Sequence, residues 1–165
     1  MNINIDNSEI DQLLALWQQA PEIVNQATKS AVTEAQLLLL REVKENTPVG
    51  STSLLRQSFG APEPILLGDR VIGVVGTSLQ HAIPVELGTK PHFPPVAPIK
   101  DWVKSKLGKS EQEAEGIAFA VARKISIKGT KPKLFVKKTF DQNKNQAQAI
   151  FSRALGRIAG QLGNG

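Results

Sequence analysis

Residues 65–75 read ILLGDRVIGVV, and this stretch decides between an all-helical chain and a mixed one. Ile65 to Leu67 and Val71 to Val75 are apolar runs on either side of Gly68-Asp69-Arg70. A glycine in so short a connection supplies the positive φ that a tight hairpin needs. The stretch therefore predicts two antiparallel strands. Around it, residues 48–89 carry glycines, prolines and β-branched residues in place of helix formers. Leu55 to Phe59 and Ala82 to Leu87 are read as two further strands, about four in all. Pro84 then belongs at an edge or bulge, because it cannot donate to a ladder.

On the N-terminal side the pattern is helical. Ile10, Leu13, Leu14 and Trp17 recur at i, i+3, i+4 and i+7, with Ser8 and Asp11 as a weak capping box, which predicts a short amphipathic helix over 8–19. Pro21 interrupts it and is well placed as the first residue of a second helix running to about Asn46. Ile23, Ala27, Ala31, Ala35, Leu38 and Leu39 give that helix its apolar side, and Pro48 forces the exit.

On the C-terminal side, Gly88 to Pro98 (GTKPHFPPVAP) holds four prolines and reads as a loop. Ile99, Trp102, Val103 and Leu107 predict a short helix. Ser110 and Glu113 form a capping box, Arg123, Lys124 and Lys128 fall toward the last turn, and Gly129 is a stop. Between them Ala114, Ile117, Ala118, Val121, Ala122 and Ile125 make an apolar stripe. Leu134 to Phe140 is a strand or a helix start, and Ile150 to Leu162 carries the pattern of a last amphipathic helix. The expected architecture is α+β in a single domain over 1–165: helical over 1–47, mostly strands over 48–89, a proline-rich loop over 90–98, and mostly helical over 99–163. A long N-terminal helix packs on a small antiparallel sheet, and helices follow.

Composition excludes several chemistries. The 165 residues include no cysteine, so a disulfide scaffold, a thiolate metal site and a cysteine nucleophile are all absent. No apolar run reaches the roughly 18 residues of a membrane span, and the start lacks a signal-peptide layout, so no membrane partner is expected and the cytoplasm is the expected place of synthesis. The net charge of +5 is unevenly spread: residues 1–50 hold 3 basic and 7 acidic side chains, 51–96 hold 3 of each, and 97–165 hold 14 basic and 5 acidic. Such polarity suits a basic segment that meets nucleic acid, or unlike faces that attract between copies.

No catalytic constellation emerges. Gly108-Lys109-Ser110 ends like a phosphate loop, but Val103 stands where that loop needs glycine, and Ser110 reads as an N-cap. His81, His92 and Glu86 match no ligand spacing, so neither a metal nor a cofactor is expected. No Gly-x-Ser-x-Gly is present. Glu86, embedded in Ile83-Pro84-Val85-Glu86-Leu87, is read as a structural acceptor for a basic or backbone group rather than a general base. Trp102 and Phe119 fall on apolar stripes and are read as core, which leaves the C-terminal lysines without stacking platforms for bases.

Three segments together resemble the bacteriophage putative tail-component family, which contains small tail-completion and head-to-tail joining proteins of tailed phages. Thr47-Pro48-Val49 and Thr52-Ser53-Leu54-Leu55-Arg56-Gln57-Ser58 are similar to its proline-valine, threonine-glycine, leucine-arginine-x-serine pattern. His81 to Thr89 is similar to its valine-glutamate-phenylalanine-glycine-threonine segment. The third is the proline loop into Ile99 to Val103, with Ala118 to Lys124 and Lys128-Gly129-Thr130-Lys131-Pro132 leading to Phe135. The likeness spans roughly residues 40–140; Ser53 stands where the family usually has glycine, and Leu87 replaces an aromatic.

The resemblance implies an α+β fold and a non-enzymatic structural role in the virion neck or tail, with assembly in the host cytoplasm. Its partners are then further copies in a ring such as a hexamer, neighbouring neck and tail proteins, and non-specific contact with DNA in the channel. A tail terminator capping the tube, and a nucleic-acid-binding module using 97–165, are the alternatives. Residues placed at partner surfaces on this reading are Arg56, Glu86, Thr89, Lys90, His92, Phe93, Val96, Lys131 and Lys133.

Overall fold

The computed structural model describes residues 8–163, apart from the side chains of residues 8–13, 16 and 17. The elements are α1 (Ser8–Asn46), α2 (Leu54–Ser58), β1 (Ile65–Leu67), β2 (Arg70–Ile72), α3 (Ala82–Leu87), α4 (Val96–Leu107), α5 (Glu111–Lys128) and α6 (Phe135–Gly163). The protein is mostly helical, with a two-stranded antiparallel sheet and helices after it. Its contacts divide it into two compact units. The first comprises Met1–Leu39, Ala61–Val75 and Asn143–Gly165; the second, Leu40–Gly60 and Gly76–Gln142.

In the first unit, Ala31, Ala35 and Leu38 of α1 are buried with Ile150 and Ala154 of α6 in one cluster. Their i, i+4 and i+7 spacings place each set on one helix face. Buried Gln36, on the same helix, donates to the carbonyls of Pro62 (3.1 Å) and Val74 (2.8 Å), so both stems of the hairpin are tied to α1. Gly73 makes the close approach possible, since a Cβ there would lie 2.5 Å from Val32 Cγ1. The ladder pairs Ile65 with Ile72 and Leu67 with Arg70. Its loop is the two residues Gly68 and Asp69, with Gly68 at φ 61°. A positive φ at the first loop residue alone is the pattern of a type II′ turn.

In the second unit, α4 packs on α5. Ala114, Ala118 and Ala122 recur every four residues and are 0% exposed, and Val103 of α4 is also fully buried. Phe59 meets Phe135 edge to face with ring centroids 5.9 Å apart. The capping box holds: Ser110 Oγ accepts from the Glu113 N–H, and the Glu113 carboxylate accepts from the Ser110 N–H.

Several expectations need correction. The sheet has two strands, not about four, because Leu55 to Phe59 and Ala82 to Leu87 lie in or against short helices. Leu55 and Phe59 are both buried while Gln57 between them is exposed, which is helical spacing; a strand would have placed all three on one face. Pro84 is the third residue of α3, inside the first turn, where the missing N–H has no intrahelical acceptor to lose. Pro21 does not separate two helices: α1 runs through it. The last helix starts at Phe135 and is continuous to Gly163, and α4 starts at Val96, earlier than Ile99. Trp102 and Phe119 are exposed, not core. The expected Ser8–Asp11 cap and the Ile10, Leu13 and Trp17 side chains lie outside the described residues.

Candidate functional site

Two of the segments that carry the resemblance meet around the start of α6. Glu86, near the end of α3, accepts from the Val136 N–H through one carboxylate oxygen (2.9 Å) and from the Lys137 N–H through the other (3.0 Å). Its own carbonyl accepts from Leu134, and the Val85 carbonyl from Lys133. Those N–H groups at the start of a helix have no intrahelical partner, and an anion there also meets the positive end of the helix dipole. Glu86 is therefore the distant N-cap of α6, a structural acceptor for backbone groups as expected. Leu134, pinned between these bonds, sits at φ 52° in the left-handed region.

Three residues further on, Thr89 and Thr130 pair by reciprocal backbone hydrogen bonds of 3.2 Å, and their hydroxyls lie 3.1 Å apart. Only glycine fits beside this bridge. A Cβ on Gly88 would fall 2.4 Å from the Thr130 carbonyl oxygen, and one on Gly129 would fall 2.0 Å from that of Thr89; both glycines also have positive φ. The Leu55-Arg56-x-Ser58 segment does related work at the end of α1. Arg56 Nη2 points to the carbonyls of Glu45 (3.4 Å) and Thr47 (3.3 Å), Ser58 Oγ lies 2.6 Å from Thr77 Oγ1, and Arg56 Nε is buried without a partner. A cation at a helix C-terminus complements the orphan carbonyls there. Ser53 lies at φ 56° with no side-chain cap bond, in a conformation that favours glycine.

The expected partner residues thus separate. Glu86, Thr89 and the backbone of Lys133 belong to the α3–α6 clip, while the side chains of Lys131 and Lys133 are exposed beside it. Arg56 serves the end of α1. Lys90, His92, Phe93 and Val96 follow in the proline loop: His92 Nδ1 lies 3.0 Å from the Lys90 carbonyl, and Val96 opens α4. Phe93 is exposed and its ring lies 6.1 Å from that of Phe119 on α5. Both Glu86 carboxylate oxygens are taken by the Val136 and Lys137 N–H groups, and His81 makes no hydrogen bond to Glu86 among the described residues.

Phe119 leads to a surface that the sequence reading missed. Phe119, Arg123 and Ile127 recur every four residues on α5, with Phe119 56% and Ile127 65% exposed. Lys124 and Lys128 are exposed on the adjoining row. Among the described residues Arg123, Lys124 and Lys128 take part in no ion pair, in contrast to Lys100 and Lys104, which both contact Glu111. Those two lysines hold the Glu111 carboxyl down at about 2. The signal was available, since residues 116–140 contain seven basic side chains and no acidic one.

Among the described residues no group of histidine and carboxylate side chains is arranged to hold a metal ion, and no helix is long and apolar enough to cross a membrane. Comparison with known proteins gives no match to a family model, to a curated protein or to a solved structure.

Proposed function

We propose that this is a non-enzymatic structural protein of a phage neck or tail, of the tail-completion or head-to-tail joining kind, acting by ring-like self-assembly and docking to neighbouring neck and tail proteins. The observation that carries the reading is the use made of the resembling residues. Glu86 caps the start of α6, Thr89 and Thr130 pair through reciprocal backbone hydrogen bonds, and Gly88 and Gly129 permit the close approach, so residues from two distant segments hold the chain together. Ser53 adds support: it stands where the family usually has glycine, and it has the left-handed backbone that glycine prefers.

Charge distribution supports assembly by unlike surfaces. The first unit holds 5 basic and 7 acidic side chains and the second holds 15 and 8, so their formal nets are −2 and +7. Heterologous contacts of that kind close into rings when the rotation permits. The test is electron microscopy and light scattering of the protein with and without portal-side and tail-tube proteins. Ring-shaped oligomers that join such particles are expected, and a strict monomer that enters none of them refutes the reading. A terminator that caps the tail tube is the variant of the same proposal in which binding is to the tube alone.

One observation favours a second reading, a nucleic-acid-binding module. The Phe93 and Phe119 rings are exposed, and Arg123, one helical turn after Phe119 on α5, takes part in no ion pair among the described residues; aromatic rings with cations are the combination that single strands use. Mobility shifts over a salt series decide it, because phosphate-driven binding weakens steeply as salt rises.

A further inference from the structure

We infer that the outer face of α5 seats the front of α1 from a second copy of this chain. The inference deepens the proposed function by naming its contact, and it rests on the self-association in that reading, not on a place in a particle. Successive residues of a helix turn by 100°, so Ile127 lies diametrically opposite the buried Ala118, with Gly116 and Ala120 within about 20° of the same line. The middle of the outer face is therefore apolar, small at Gly116 and Ala120 and raised at Ile127. No atom lies within 4 Å of a Cβ built on Gly116, so that strip is open. Phe119, backed by Phe93, and Arg123 rise on one side of it, and Lys124 and Lys128 on the other. A strip of small residues between an aromatic rim and cationic rims fits an acidic helix with apolar side chains.

The front of α1 has that chemistry. Residues 8–28 contain three acidic side chains and no basic one. Between Leu14 and Glu22 no described side chain is buried, and Leu14 is 55% exposed. Leu14, Gln18 and Glu22 form one row at the same i, i+4, i+8 spacing as Phe119, Arg123 and Ile127. The helix from Ser8 to Glu22 extends about 22 Å, and an isolated helix of that length is marginal in water. An acidic helix segment with no buried side chain among those described from Leu14 to Glu22, and a cationic, exposed helix face, occur in one chain and differ in kind. The contact is thus head-to-tail, and a pair of copies keeps one free front and one free back.

The experiment uses the full chain in three forms: unaltered, L14K/E22K with an altered front, and R123E/K124E/K128E with an altered back, each checked for native helix content by circular dichroism. All five altered positions are exposed, so folding should survive. Sedimentation velocity over a concentration series should show oligomers for the unaltered chain and monomers for each variant alone, with affinity lowered by about 10-fold or more. An equimolar mixture of the two variants should form a dimer, since it retains one intact front and one intact back. If the unaltered chain stays monomeric, both the inference and the self-assembly reading fall. If it assembles and the variants assemble equally well, or if the mixture does not dimerise, only this contact is overturned. If either variant fails the circular dichroism check, L14C in one copy and I127C in another replace it in a chain that has no other cysteine. A disulfide dimer formed only on mixing supports the contact, and its absence overturns it. A basic face that instead shifts an oligonucleotide while the protein remains monomeric assigns the surface to nucleic acid and overturns the contact as well.

Discussion

Glu86 joins two chain segments fifty residues apart through both carboxylate oxygens. Removing it leaves two helix-start N–H groups without acceptors, and E86A should lower stability by about 1–2 kcal/mol in urea unfolding. E86Q should lose nearly as much, because an amide can accept through only one of its two atoms. A loss below the error of the measurement would mean that water replaces the carboxylate without penalty. Ser53 predicts the opposite sign. Its left-handed φ of 56° costs about 1 kcal/mol for a residue with a Cβ, so S53G should match or exceed the parent despite glycine's larger unfolded-state entropy. At Glu111, Lys100 and Lys104 hold the carboxyl at about 2, below its ordinary 4.5. The lowered value means the anion is favoured in the folded chain. That contribution is complete above pH about 4.5 and is lost as the pH falls toward 2. E111Q should therefore have the flatter stability profile across that window in thermal melts, with little change at neutral pH because the pair is exposed.

At the scale of elements, the ends and the buried side of α5 were legible from its residues. Ser110, Glu113 and Gly129 mark both ends, and the alanine stripe marks the buried side, because caps and helical periodicity are local signals that packing did not need to overrule. The turn at Gly68 was legible for the same reason. Residues 54–58 and 82–87 were not, since apolar residues in runs this short suit either period. Their backbone bonds run to distant partners: the carbonyls of Val85 and Glu86 accept from Lys133 and Leu134, as a strand's would, but from the end of a helix. Glu86 was read as an acceptor, yet its target fifty residues away is invisible to local pattern. Phe119 was misplaced because it lies only 100° round the helix from Ala118, and the stripe was drawn wide enough to include it. The 0% exposure of Ala118 supplies an element-scale prediction. A118L must force α4 and α5 apart and should cost about 1–3 kcal/mol, whereas A120L on the open side should leave unfolding within about 0.5 kcal/mol of the parent.

For the whole molecule, two kinds of exposed surface coexist and should respond to salt in opposite directions. Charge is divided between the units, with formal nets of −2 and +7. The hairpin, in contrast, exposes Ile65, Leu66, Leu67 and Ile72, and only Asp69 and Arg70 at its tip are charged. Exposed charges interact over a Debye length of about 10 Å at 0.1 M salt and about 3 Å at 1 M. Association led by the charged surfaces should therefore weaken steadily as sodium chloride rises, as read from the weight-average mass in sedimentation. Apolar contact is not screened, and sulfate, which is excluded from protein surfaces, strengthens it. The L66S/L67S variant separates the two terms: its side chains are more than half exposed, so its folding stability should stay within about 0.5 kcal/mol of the parent. In sodium chloride it should lose mass along the same curve as the unaltered chain, displaced to smaller oligomers by a constant amount if the hairpin adds a second contact. A mass that instead grows with sodium chloride in the unaltered chain, and no longer grows in L66S/L67S, would transfer the lead in assembly from the charged faces to the hairpin.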